Sequence, residues 1–89
     1  MRLGEALQKI RSAAKAKRVV FVYHATERQE LRKISTAEVL HALANATHIL
    51  DQRDGTYLVV GPSLSGKSLS VVVTIDDGVI VITVWRNHR

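Results

Sequence analysis

His24, Arg28 and Arg32 recur at intervals of four in the stretch HATERQELRKIS, residues 24–35. On an α-helix each step of four drifts by only about 40°, so the three side chains would share one stripe. An imidazole beside guanidiniums suits phosphodiester chemistry. Planar arginine forks match phosphate oxygens, and a histidine that titrates near neutrality can take up or release a proton. The same spacing also fits a solvated helix in which Glu27 and Glu30 pair locally with the arginines, so spacing alone leaves both readings open.

A second stretch invites different chemistry. GPSLSGKS, residues 61–68, matches a nucleotide-binding P-loop at Gly61, Gly66, Lys67 and Ser68. That loop works only between a strand and a helix, because the helix N-terminus and aligned backbone N–H groups cradle the phosphates. The next seven residues are Leu69-Ser70-Val71-Val72-Val73-Thr74-Ile75, whose β-branched members favour a strand. The expectation is a hairpin loop with no nucleoside triphosphate, in which Lys67 serves a phosphate backbone as a point charge.

The positive field lies at the front. Residues 1–33 hold nine basic side chains (Arg2, Lys9, Arg11, Lys15, Lys17, Arg18, Arg28, Arg32, Lys33) against three acids (Glu5, Glu27, Glu30), within a net charge of +5. Such a bias favours polyanions, nucleic acid first, or an acidic protein. There is no cysteine, which removes disulfides, thiolate zinc sites and thiol nucleophiles. No clustered carboxylates or histidines suggest a metal, and no cofactor is implied. The apolar runs are strand-sized, far short of the roughly 20 residues of a membrane span, and a cytoplasmic location is expected.

The elements that must position these residues can be read from periodicity. Leu3, Leu7, Ile10 and Ala14, flanked by Ala6 and Ala13, mark a basic amphipathic helix within residues 1–18. Val19 to Tyr23 reads as a strand and His24 to Ile34 as a helix. Ser35-Thr36 before Glu38 opens a capped second helix with Val39, Leu40 and Leu43 inward. Four strands come next, at His48–Asp51, Tyr57–Val60, Leu69–Ile75 and Val79–Trp85, with Asp54-Gly55 and Asp77-Gly78 as turns. The predicted fold is α+β, one domain over residues 1–89: N-terminal helix, strand, two-helix hairpin, then a four-stranded antiparallel meander. Val71-Val72-Val73 predicts a strand buried on both faces, with the first helix covering the second face. An exposed edge strand would permit a homodimer.

The motif HAxxRxxxRxIS, the AEVLHAL helix, and the closing strands around Val60, Val72 and VIVITVWR resemble a prokaryotic family of domains of unknown function placed near the RelE, ParE and BrnT toxins. The resemblance spans residues 19–86, the core of a RelE-like domain. It implies a toxin or small metal-independent ribonuclease that attacks phosphorus with the RNA 2′-hydroxyl, and a cognate antitoxin chain as partner. It implies His24 as general base or acid, Arg28 and Arg86 as phosphate ligands, Thr83 as a hydrogen-bond donor, and Arg32 and Lys33 on neighbouring phosphates. Trp85 would stack on a base, or else serve as packing in an aromatic-poor core. On strand alternation Thr83 and Arg86 lie on opposite faces unless the strand end twists or breaks. Two alternatives stay open: a noncatalytic ParE-like toxin that binds an essential protein, and a basic nucleic-acid-binding or regulatory module. His88, near the chain end, and His41 and His48 receive no role.

Overall fold

The computed structural model describes residues 1–87, and His88 lies outside them. The elements run α1 (Leu3–Lys15), β1 (Val19–Phe21), α2 (Tyr23–Arg32), α3 (Thr36–Ala44), β2 (His48–Asp51), β3 (Tyr57–Pro62), β4 (Ser68–Ile75) and β5 (Val79–Arg86). β1 is shorter than its apolar run suggests, because Val22 already serves as the N-cap of α2. No helix among the described residues is long and apolar enough to cross a membrane.

Both α1 and α2 end on a lysine in the left-handed region, Lys17 at φ 58° and Lys33 at φ 55°. The carbonyls freed by each turn are taken up in the Schellman pattern: Arg18 N–H donates to Ala13 O at 2.8 Å, and Ile34 N–H to Gln29 O at 2.9 Å. Buried Ile34 supplies the apolar contact that usually accompanies that turn. α3 then starts from a capping box: the Ser35 hydroxyl accepts the Glu38 N–H at 3.1 Å, and the Glu38 carboxylate accepts the Ser35 N–H at 3.4 Å.

The five strands form one mixed sheet in the order β1-β5-β4-β3-β2. β2 to β5 make the expected antiparallel meander, and β1 adds to β5 in parallel, Val19 to Phe21 beside Val79 to Val81. The three helices share one face of this sheet. Ile10, Ala14, Ala25, Val39 and Leu43 from the helices and Val59, Leu69, Val71, Val73, Val81 and Val84 from the strands make one core. α3 packs on α1 and β3, while α2 lies along β5. Gly61 makes the closest approach: a Cβ there would sit 2.0 Å from the Ala42 carbonyl oxygen, so only glycine lets α3 reach the sheet.

The second face differs from expectation. Val72 is only half-buried while Val71 and Val73 are fully buried, and α1 shares the core face with α2 and α3. The run of three valines therefore records a central strand flanked by other strands, not a strand sandwiched between two layers. Leu58, Val60, Val72, Ile80 and Trp85 lie on the uncovered face, with Val20 at 63% and Leu50 at 58% exposure near its margins.

β5 contains one irregularity with consequences for the site. Val72 pairs with Thr83 but Val73 pairs with Val81, leaving Ile82 as an extra residue. Such a bulge reverses the inward-outward phase of everything beyond it. Val79 and Val81 point to the core before it; Val84 and Arg86 do so after it, and Thr83 and Trp85 face outward.

Candidate nucleic-acid interface

α2 carries the His24–Arg28–Arg32 stripe because its opposite side is committed to the core: Ala25 and Gln29 are buried. The Gln29 amide donates to Ile34 O and Thr36 Oγ1, both at 3.3 Å, which ties the helix to the start of α3. Rotation of the helix is thereby fixed. His24 is exposed and Arg28 half-buried, and Arg28 Nε donates to His24 Nε2 at 3.3 Å. A ring whose Nε2 accepts would carry its proton on Nδ1, the tautomer a proton acceptor needs.

Arg32 and Arg86 are held by the protein itself. Arg32 Nη1 donates to Val84 O at 2.7 Å, filling a carbonyl at the edge of β5 beyond the point where β1 stops. Arg86, turned inward by the bulge, donates to Glu38 Oε2 at 2.9 Å, Ser65 Oγ at 3.3 Å and Lys33 O at 3.2 Å. One guanidinium thus joins the end of α2, the capping box of α3 and the β3–β4 loop. Glu38 and Arg86 side chains are 16% and 24% exposed, and the Arg86 hydrogen bond holds the Glu38 carboxyl below its ordinary range against the opposing effect of burial.

The geometry sorts the other expected site residues. Thr83 sits on the uncovered sheet face opposite Val72, and Arg86 on the core face opposite Leu69, so the strand alternation stands and the two do not converge. Lys33 and Lys67 are exposed. Lys67 belongs to the hairpin loop between β3 and β4, with Ser63 N–H donating to Lys67 O at 2.8 Å. No helix succeeds that loop, as the β-branched run predicted. Both glycines of the P-loop pattern have local causes: Gly61 makes room for α3, and Gly66 takes φ 92° in the turn.

Arg32, far away in sequence, joins the consecutive Trp85, Arg86 and Asn87 in lining one groove of about 590 Å³. Asn87 was not anticipated. Its amide donates to Ser68 Oγ at 2.9 Å and accepts from Ser70 Oγ at 3.0 Å, a role that depends on cross-strand neighbours invisible in the local sequence. Glu38, legible in sequence as a helix cap, is also the partner of Arg86.

The described surface therefore offers an imidazole with an adjacent guanidinium, and one to two helical turns away a groove with two arginines and an indole. No curated protein and no solved structure matches the chain. A family model, Domain of unknown function (DUF4258), matches residues 21–86, spanning the motif helix, α3 and the whole meander. The chain belongs to the DUF4258 family.

Proposed function

We propose that this domain is a small RelE-like ribonuclease that cleaves RNA with its own 2′-hydroxyl as nucleophile. The observation that carries the reading is the exposed His24–Arg28 pair, with Nε2 and Nε 3.3 Å apart, on a helix inside the basic first third of the chain. The α+β order of elements, compatible with a RelE-like architecture, adds support.

The chemistry rests on the pair. An incoming phosphate draws the Arg28 guanidinium away from the imidazole, because a charge-assisted bond to an anion outweighs a long bond to a neutral nitrogen. His24 Nε2 is then open to take the 2′-hydroxyl proton. The 2′-oxygen bonds to phosphorus, the bond from phosphorus to the 5′-oxygen breaks, and that oxygen takes a proton from water, whose hydroxide then recovers the proton held by His24. The products are a 2′,3′-cyclic phosphate and a 5′-hydroxyl. Arg28 stabilises the charge that gathers on the non-bridging oxygens.

Purified protein incubated with total RNA, with the 5′-hydroxyl ends then sequenced, tests this. New ends are expected with wild type, and a rate loss of about 10²- to 10⁴-fold in His24→Ala, a change at an exposed position that leaves folding intact. Wild-type protein that binds RNA and leaves it uncut refutes the catalytic step. One observation favours a noncatalytic RNA-binding module as the second reading: Arg86 is already committed to Glu38, Ser65 and Lys33, leaving Arg28, among the described residues, as the only arginine beside His24.

A further inference from the structure

We infer that the groove at the end of β5 is a subsite for one unpaired nucleotide, with its base stacked on Trp85 and its phosphate against Arg32. The inference rests on the RNA-binding reading above and adds the part of the substrate that is recognised.

Three features converge there. First, the groove encloses about 590 Å³ and is lined by Arg32, Trp85, Arg86 and Asn87, a combination of one aromatic plane with cations and an amide. That is the composition of single-strand sites, where aromatic side chains hold bases and a positive groove tracks the backbone. Second, two of the lining side chains are already held by the protein. Asn87 N–H continues the ladder to Ser68 O at 3.0 Å, its amide is fixed by Ser68 and Ser70, and Arg32 is pinned through Nη1 on Val84 O. Among the described residues the remaining nitrogens of Arg32 have no partner, so they stay available to an anion.

Third, among the described residues the strand edge beside the groove is not paired to another strand. The bonded pair of Asn87 and Ser68 sets the phase of the ladder, so Val84 and Arg86 turn their backbone N–H and C=O groups away from β4. β1 covers only Val79 to Val81. Arg32 fills the Val84 carbonyl and Val84 itself is fully buried, so of these groups those of half-buried Arg86 are the ones that can meet the hydrogen-bonding edge of a base. The bulge at Ile82 creates the arrangement by turning Trp85 outward and leaving Val84 and Arg86 at the core.

The distance to the chemistry is set by α2. His24 and Arg32 are eight residues apart, about 12 Å of helix rise. A stacked strand advances about 3.4 Å per nucleotide and a stretched one more, so the stacked base lies within about three nucleotides of the cleaved bond. A base preference at a fixed offset from the cut is the expected signature.

The test uses Trp85, the only tryptophan in the chain, as its own reporter. The full chain is titrated with an eight-nucleotide RNA carrying 2′-O-methyl groups throughout, which cannot be cut by 2′-hydroxyl attack, while tryptophan emission and the anisotropy of a dye on the RNA are read together. Saturable quenching in step with binding is expected. Trp85→Ala should weaken binding roughly 5- to 150-fold, the range for losing one base–aromatic stack, and Trp85→Phe should restore most of it, which separates stacking from misfolding. Cleavage maps of unmodified RNA should lose their base preference in Trp85→Ala and keep it in Trp85→Phe. Binding without quenching, or Trp85→Ala that binds like wild type while remaining folded, overturns the subsite. Quenching with no cleavage of unmodified RNA upholds the subsite and refutes the ribonuclease reading instead. Absence of any RNA binding overturns both.

Discussion

Replacing Arg86 with methionine keeps the apolar stem and removes the guanidinium, so it isolates the bonds that gather α2, α3 and the β3–β4 loop. The charge-assisted bond to Glu38 at 2.9 Å is of a kind that contributes about 1.5–3 kcal/mol. The bonds to Ser65 at 3.3 Å and Lys33 at 3.2 Å are long and belong at the weak end, about 0.5 kcal/mol each. Glu38, 16% exposed, can still reach water, which offsets part of the loss. The expected destabilisation is about 2–3 kcal/mol, against the roughly 5–15 kcal/mol total stability of ordinary domains. With a urea slope near 1 kcal/mol/M, at the low end for small proteins, the midpoint should fall by about 2–3 M with the slope unchanged.

The effect of pH has a definite sign. Arg86 lowers the Glu38 carboxyl from its ordinary value of 4.5, so this contribution is fully present above that value and is lost as pH falls through the lower folded-state value. The gap between wild type and Arg86→Met should therefore be full at pH 7 and shrink at pH 3. Urea titrations monitored by circular dichroism at both pH values measure it. A gap below about 0.5 kcal/mol at pH 7, or one equally large at pH 3, would refute the argument. If Arg86 served the reaction and not the fold, cleavage would vanish while the midpoint stayed in place.

Three further outcomes are expected. Gly61→Ala forces a Cβ to within 2.0 Å of the Ala42 carbonyl oxygen and should cost more than about 3 kcal/mol, read as a collapse of the thermal midpoint; a near-normal midpoint would mean that α3 lifts off the sheet freely. Ser35→Ala removes the hydroxyl that accepts the Glu38 N–H and should cost about 1 kcal/mol in urea unfolding. Arg28→Ala should weaken RNA binding with little regard to sequence and lower the slope of log affinity against log salt by about one, whereas an unchanged slope would exclude a phosphate contact at that side chain.

Much of this molecule can be read along the chain. The second helix of the hairpin begins where Ser35 and Glu38 say it does, because a capping box is a local hydrogen-bond exchange complete within four residues. The meander is legible as β-branched runs separated by Asp-Gly turns, and Leu69 to Ile75 reads as a strand where a P-loop needs a helix, because β-branched residues favour strands. The stripe of His24, Arg28 and Arg32 was legible for the same reason, since helical spacing alone aligns it.

The features that chain order could not reveal depend on contacts between distant residues. The open second face arises because α1 packs with α3 on the side already covered, a choice made by which apolar stripes fit together. The partners of Arg86 come from three separate segments, so the side chain expected to bind phosphate also clamps the fold. The extra residue at Ile82 leaves no mark in the run VIVITVWR, yet it decides that Arg86 faces Glu38 while Trp85 faces outward. Residue types and local periodicity determined the elements and the candidate chemistry; the three-dimensional packing decided which of those side chains remain available for it, because side-chain direction after a bulge and the satisfaction of buried charge are properties of the assembled sheet.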